Sequence, residues 1–169
     1  MRKLLLLCGL SLLAGSWVMA QEYPKGEVSL GYQYVRINPG GGASGINCNG
    51  GGASVAGNLN SWFGVAGEFG GCTAQGGKAI NYLFGPRFTY RSAGKFTPFA
   101  NALFGGVRIS DGTSDNSFAM ALGGGADYSV TEHVAIRLIE ADYFYTKFGG
   151  THQNNARIQA GIVFRFGGR

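Results

Sequence analysis

Eight charged side chains fall inside segments that are otherwise apolar or built from small residues: Glu68, Arg87, Asp127, Arg137, Glu140, Asp142, Arg157 and Arg165. Four are acids and four are bases, so the set can pair almost completely. An unpaired charge in a narrow interior is costly, which makes that balance a structural requirement. The bland chemistry of such a set is an ion-pair network that locks an interior. The sharper alternative is a gate or a narrow polar path. Nucleophilic catalysis would need a base within reach of the nucleophile, usually His. The chain has only His133 and His152. His152 could approach Asp111 or Ser110 if their segments met at one rim, giving a Ser-His-Asp set. Histidine, serine and aspartate in loops are more often plain solvated residues, and a non-enzyme is expected. Cys48 and Cys72 with a single nearby His do not make a zinc set. Gly123-Gly124-Gly125 sits within a strand pattern, so it is no phosphate cradle; its small residues make room for large neighbours across an interior. No cofactor and no metal site are expected.

The elements that must position these charges follow from composition and periodicity. Charged residues are 14% of the chain, below the usual share of about 25%, while glycine reaches 31 residues and aromatics 13%. Mean hydropathy is close to zero. Past the N-terminal segment no apolar stretch approaches the length of a membrane-spanning helix. Short alternating segments separated by turn residues take its place, the repetitive signature of a transmembrane barrel. Eight strands are predicted, over residues 27–36, 52–60, 62–70, 78–90, 96–109, 117–130, 134–147 and 156–166. In the first, Val28, Leu30, Tyr32 and Tyr34 oppose Ser29, Gly31 and Gln33. In the fourth, Ile80, Tyr82, Phe84, Phe88 and Tyr90 oppose Asn81, Gly85, Arg87 and Thr89. The fifth leaves its facing open, because both parities carry apolar groups. The seventh breaks parity: Arg137 is odd, while Glu140 and Asp142 are even. A charge facing lipid at mid-membrane costs a few kcal/mol. A β-bulge near Leu138-Ile139 would bring all three charges inside. The fold class expected is all-β, an eight-stranded antiparallel up-and-down transmembrane β-barrel, preceded by a signal peptide.

The N-terminus carries Arg2 and Lys3, then an apolar run from Leu4 to Leu13, then Val18-Met19-Ala20 with small residues at the −3 and −1 positions. That pattern is a secretory signal peptide, residues 1–20, with cleavage before Gln21 and a barrel domain over 21–169. Cleavage lowers the formal charge from +5 to +3. So small a balance, with no basic run, does not argue for nucleic acid. The two remaining cysteines are a disulfide candidate in an oxidising compartment. Short turns at Asn60-Ser61, Arg91–Lys95 and Thr131–His133 alternate with longer segments at 37–51, 71–77, 110–116 and 149–155. With the N-terminus periplasmic, the longer loops would face outside the cell. Cys48 would sit in the first of these loops and Cys72 in the second, tying down a glycine-rich rim worth about 3 kcal/mol of stability. Trp62, Tyr90, Tyr128 and Tyr145 near strand ends fit interfacial girdles.

Three stretches carry a family resemblance: Trp62-Phe63-Gly64-Val65-Ala66-Gly67-Glu68-Phe69-Gly70, Phe84-Gly85-Pro86-Arg87-Phe88-Thr89-Tyr90-Arg91, and Gly161-Ile162-Val163-Phe164-Arg165-Phe166. They resemble the outer-membrane β-barrel domain family, related to the transmembrane domain of outer membrane protein A. The resemblance covers nearly all of the mature chain. It implies a place in outer-membrane lipid and handling by the outer-membrane insertion machinery, which reads an aromatic-ended last strand. Here Gly167-Gly168-Arg169 follows Phe166, a departure from that ending. A periplasmic wall-binding domain after the barrel is not expected, and neither is wall anchoring. The His-x-Ser pairing of outer-membrane lipid A deacylases is missing. The functional expectation is a structural barrel whose exposed loops are available to a surface ligand. A small passive channel is the alternative, and a lipid-modifying enzyme a more distant one. A soluble lipocalin-like binder would need an apolar interior. Self-association is left open.

Overall fold

The computed structural model describes residues 23–38, 44–74, 77–92, 94–111, 113–148 and 151–168. The expected signal peptide and the Pro39–Gly42 part of the first loop lie outside the described residues. The strands are β1 (Gly26–Ile37), β2 (Ile46–Asn58), β3 (Phe63–Ala74), β4 (Gly77–Thr89), β5 (Phe96–Asp111), β6 (Thr113–Ser129), β7 (Val134–Phe148) and β8 (Thr151–Phe166). Each pairs antiparallel with the next, and β1 closes on β8 from Gly26↔Phe166 to Arg36↔Ala156. An even, closed ring leaves no strand edge unpaired, which is what lipid demands of a backbone.

The strands are staggered. Following the register from Gly26 leads through Gly57, Val65 and Pro86, then Ala102 (opposite Pro86 in the step between Phe84↔Phe104 and Arg87↔Asn101), Leu122, Tyr143 and Ala156 to Arg36, ten residues further along β1. That shear tilts the strands and gives an interior that side chains can fill. Alternation then sorts the residues. Leu30, Val55, Phe69, Phe84, Phe104, Leu122, Ile139 and Ile158 face outward and are exposed. A continuous apolar wall of this kind belongs in lipid. The polar and charged residues of the opposite parity are buried in the lumen. Strand β5 takes a definite facing: Thr97, Phe99, Asn101, Leu103 and Val107 point inward, and Phe96, Phe104 and Arg108 outward.

The predicted bulge is present. Asp127 pairs with Arg137 while the adjacent Ala126 pairs with Ile139, and the β8 ladder also shifts between Arg137 and Glu140. Leu138 and Ile139 both face lipid, at 49% and 48% exposure, so Arg137, Glu140 and Asp142 all stay buried.

The predicted contrast in loop length holds for the connection between β1 and β2, residues 38–45, and fails for the other three. The turns at the end bearing the termini span 59–62, 90–95 and 130–133, whereas at the far end β3–β4, β5–β6 and β7–β8 are joined across 75–76, 112 and 149–150. The expected loops at 110–116 and 149–155 are mostly strand, as Arg108↔Asn116, Asp111↔Thr113 and Lys147↔His152 show. Glycine, serine and asparagine there look like loop residues, but the neighbouring strand offers each a ladder partner. At the terminal end, side chains fix the turns. Asn60 Oδ1 accepts from the backbone of Trp62 and Phe63 at 3.0 and 2.7 Å, and Thr131 Oγ1 accepts from Val134 at 3.0 Å.

Candidate functional site

The lumen is the candidate site, and it has two storeys. The storey nearer the termini is ionic. Glu27 meets Arg91 at 3.1 Å, Arg87 at 3.6 Å and Arg165 at 3.7 Å. Arg87 reaches Asp127 at 3.3 Å, Arg137 donates to Asp127 at 2.9 Å, and Arg137 also reaches Glu140 at 2.7 Å. Asn101 donates to Glu140 at 2.6 Å. Nearer mid-barrel, Arg157 bridges Glu68 at 2.7 Å and Asp142 at 2.8 Å. Two guanidiniums lie against the Phe99 ring, Arg87 at 4.0 Å and Arg137 at 4.5 Å from its centroid. Cation–π contact of this kind strengthens when the cation is desolvated.

All eight residues singled out from sequence therefore face the lumen. Glu68, Asp142 and Arg157 form one cluster; Arg87, Asp127, Arg137, Glu140 and Arg165 belong to the other, the last through Glu27. Sequence reasoning missed Glu27 and Arg91. Glu27 shares the parity of Ser29 and Gln33, which was the available signal. Arg91 lies just past β4, in a turn, where parity no longer informs. Phe99 was hidden by the ambiguity of β5.

Above the ions the lumen is mixed: buried Gln33 donates to Asn81 at 3.3 Å and buried Asn155 to Thr146 at 3.1 Å, among apolar side chains. Val35, Leu83, Leu103, Val107, Ala119, Ala121 and Phe144 pack with both cysteines, and Ile37, Ala79 and Ile109 add to them. A cavity of about 30 Å³ is lined both by apolar residues such as Val35, Val107 and Phe144 and by polar ones, Gln33, Asn81, Thr146 and Asn155. That is room for roughly one water. The interior expected from sequence was small and polar, so the larger apolar side chains Leu83, Leu103, Val107 and Phe144 are a correction.

Cys48 and Cys72 are bonded, with Cα atoms 5.4 Å apart. They do not sit in loops as expected. Cys48 belongs to β2 and Cys72 to β3, both buried in the upper storey. The bridge therefore staples two strands that are already hydrogen-bonded, and its effect falls on the unfolded chain. Replacing both by alanine is expected to lower the unfolding free energy by roughly 2–4 kcal/mol. Urea titration read by gel mobility would check this, and an unchanged midpoint would count against it.

The conceivable Ser-His-Asp set does not assemble. His152 lies in β8, paired with Lys147, and its ring stacks on Tyr145 and hydrogen-bonds its hydroxyl. Ser110 and Asp111 end β5, with β6 and β7 between them and His152; the Asp111 side chain lies outside the described residues. His133 occupies the turn between β6 and β7, and its carbonyl accepts from Arg165 N at 2.8 Å. Among the described residues, no group of three or more His, Cys, Asp or Glu side chains could hold a metal ion.

The Gly123–Gly125 run has a packing reason. A Cβ on Gly125 would lie 2.2 Å from the Ile139 carbonyl oxygen and 2.9 Å from the Phe99 ring. Gly125→Leu is expected to displace Phe99 from its contacts with Arg87 and Arg137 and to cost about 1–3 kcal/mol. The check is again the urea midpoint, with Gly57→Leu, a site with nothing near its Cβ, as the comparison.

The chain matches the outer membrane protein β-barrel domain over residues 4–166. No curated protein matches it. Among solved structures, Neisserial surface protein A is 14% identical, with TM-score 0.66, covering 84% of this chain and 97% of that one. Ail, the attachment invasion locus protein of Yersinia pestis, is 22% identical, with TM-score 0.55 and coverage of 84% and 99%. It has also been solved in complex with the heparin analogue sucrose octasulfate, at 20% identity, TM-score 0.52 and coverage of 84% and 99%. OprG of Pseudomonas aeruginosa is 11% identical, with TM-score 0.63 and coverage of 87% and 98%. The identities are low, so these likenesses speak to the fold, whereas the domain match spans nearly the whole chain. This chain belongs to the outer membrane protein β-barrel domain family, and its place is the outer membrane.

Proposed function

We propose that this protein is a structural barrel of the outer membrane, neither an enzyme nor an open channel, whose far end is exposed for a surface partner. The carrying observation is the doubly filled lumen. Five carboxylates and five guanidiniums pair in one storey, and apolar side chains together with hydrogen-bonded Gln33, Asn81, Thr146 and Asn155 fill the other. An ion entering would have to break buried pairs and then pass a layer of packed apolar and hydrogen-bonded side chains, and each step is unfavourable. The separation of His152 from Ser110 supports a non-catalytic reading. Residues 1–20 fit this role as a signal peptide cleaved before Gln21, which places the termini in the periplasm and the far end outside the cell. The surface-partner part draws on Ail, a barrel of the same fold seen with a heparin analogue.

The deciding experiment is planar-bilayer recording from the refolded, heat-modifiable protein. Silent bilayers are expected. Unitary conductance steps would overturn the closed-barrel reading in favour of a passive channel.

A further inference from the structure

The ten lumen charges balance as a whole but not locally. Among the described residues, the ionic cluster nearest the termini joins four guanidiniums, Arg87, Arg91, Arg137 and Arg165, to three carboxylates, Glu27, Asp127 and Glu140. The compensating negative charge is at mid-barrel, where Arg157 alone holds both Glu68 and Asp142. Asp142 pairs with Arg157, eight residues along β8 from Arg165. That is roughly 25 Å of strand, too far for a local partner. The imbalance falls on Glu27, the carboxylate shared by Arg91, Arg87 and Arg165. Arg165 has the longest of these contacts, at 3.7 Å, and its side chain is only 9% exposed. Its Nη1 donates to Ser129 Oγ at 2.6 Å, while Nε and Nη2 have no hydrogen-bond partner among the described residues. Buried donors in that condition are costly.

A pocket of about 210 Å³ opens beside this cluster, at the end bearing the termini. Arg91 and Arg165 line it, with the hydroxyls of Ser92, Thr97 and Ser129. Its volume is the share of about seven waters, room for one carboxylate and a few further heavy atoms. A whole lipid or a polymer does not fit. Guanidinium groups bind carboxylate oxygens strongly, and hydroxyls can fill the remaining lone pairs. The charge count narrows the ligand further. The cluster has one cation in excess, so a single negative charge balances it, whereas a phosphate monoester brings about 1.5–2. Glu132, exposed in the turn between β6 and β7, lines the same pocket and opposes any second negative charge. Inward of the pocket, Arg87 and Arg137 are paired with Asp127 and Glu140, so the pocket is a dead end and its occupant is held rather than passed on.

We infer that this pocket binds a small molecule carrying a single carboxylate, which completes the charge balance of the cluster at the terminal end. The proposed orientation makes that molecule a periplasmic one; the binding itself is independent of orientation. The test uses the isotope-labelled barrel in neutral phosphatidylcholine nanodiscs and three probes: N-acetylglycine, its uncharged amide N-acetylglycinamide, and inorganic phosphate. The readout is the backbone amide signals of Ser92, Gly94 and Glu132, with lipid-facing Val55 as reference. N-acetylglycine should shift the first three saturably, less so as salt is raised. The uncharged amide should leave them in place, and phosphate should bind at least tenfold more weakly. Ser92→Asp supplies a carboxylate from the chain itself and should weaken N-acetylglycine binding at least tenfold, whereas S92N, close in shape and uncharged, should stay within twofold of the parent. Arg165→Gln removes the excess cation and should also weaken binding at least tenfold. No saturable shift, or equal shifts with the uncharged amide, would overturn the inference. So would phosphate binding as tightly as N-acetylglycine, which marks a general anion site, or parent-like binding by the Ser92→Asp protein. Each protein is also run on gels before and after boiling. A parent without a mobility shift would undo the barrel reading itself, and a shifted parent that fails to bind would undo only the pocket.

Discussion

Deleting Leu138 should leave a folded barrel, whereas deleting Ala141, three residues on in the same strand, should abolish it. The reason lies in the bulge. Arg137 pairs with Asp127 and Gly161, Ile139 with Ala126, and Glu140 with Gly125 and Gln159. Without Leu138, residues 137, 139 and 140 follow in step with both neighbouring ladders and keep their present partners. Arg137 and Glu140 remain inside, and the unfolding free energy should stay within about 1 kcal/mol of the parent. Deleting Ala141 instead flips everything beyond it. Asp142 turns to the lipid, and Tyr143 turns inward. The chain can recover only by straightening the bulge, and then Glu140 meets the lipid and Ile139 the lumen. Either way a carboxylate faces lipid and an arginine loses a buried partner. The lost partner alone costs about 3–5 kcal/mol. A typical domain has about 5–15 kcal/mol to lose. The measurement is the heat-dependent mobility shift of the refolded deletion proteins. A shifted band for the Ala141 deletion, or none for the Leu138 deletion, would refute this account of β7.

The contrast also marks what could be read from the sequence. Alternation is local and strict in a strand, so facings could be read wherever one parity was apolar and the other polar. The parity break in β7 was legible for the same reason, because three charges on mixed parities demand an extra residue. Strand ends were not. Gly50, Asn116 and Asn154 have turn-like identities, yet each lies in a ladder. What keeps them there is a neighbouring strand distant in sequence, a tertiary effect that composition does not encode. The apolar residues of the upper storey escaped for a related reason. Leu103, Val107 and Phe144 share strands with the lipid-facing Phe104 and Tyr143, and hydrophobicity alone does not tell a lipid contact from a lumen contact. The ionic storey was more visible, because charge is excluded from one face and not from the other. Glu27 was lost at the margin, in the last inward position before the chain leaves the membrane.

Arg157→Met should be among the most damaging single substitutions in this protein, and two further substitutions should repair it. Arg157 is about as buried as a residue can be, at 1% exposure, and is the one guanidinium shared by Glu68 and Asp142. Nη2 reaches Glu68 at 2.7 Å, and both Nε and Nη2 reach Asp142, at 2.9 and 2.8 Å. Methionine would fill much of the space and remove the charge, leaving two buried carboxylates to repel each other. Breaking a buried pair this way costs about 3–5 kcal/mol, and here one cation serves two anions. Replacing all three members with apolar residues removes the desolvation problem along with the attraction. The apolar part of the upper storey begins beside them, at Leu83, Leu103 and Ala121, so the surroundings suit such a repacking. The triple variant E68L/D142L/R157M is therefore expected to recover most of the loss, to within about 1–2 kcal/mol of the parent. Urea midpoints in detergent, followed by gel mobility and by the fluorescence of Trp62, would measure both. If Arg157→Met cost less than about 1 kcal/mol, the cluster would be shown to be solvated. If the triple variant were no more stable than the single one, the ion pairs would be contributing net stability that apolar packing does not replace, and the lumen network would have to be read as a source of stability rather than a charge-balanced filling.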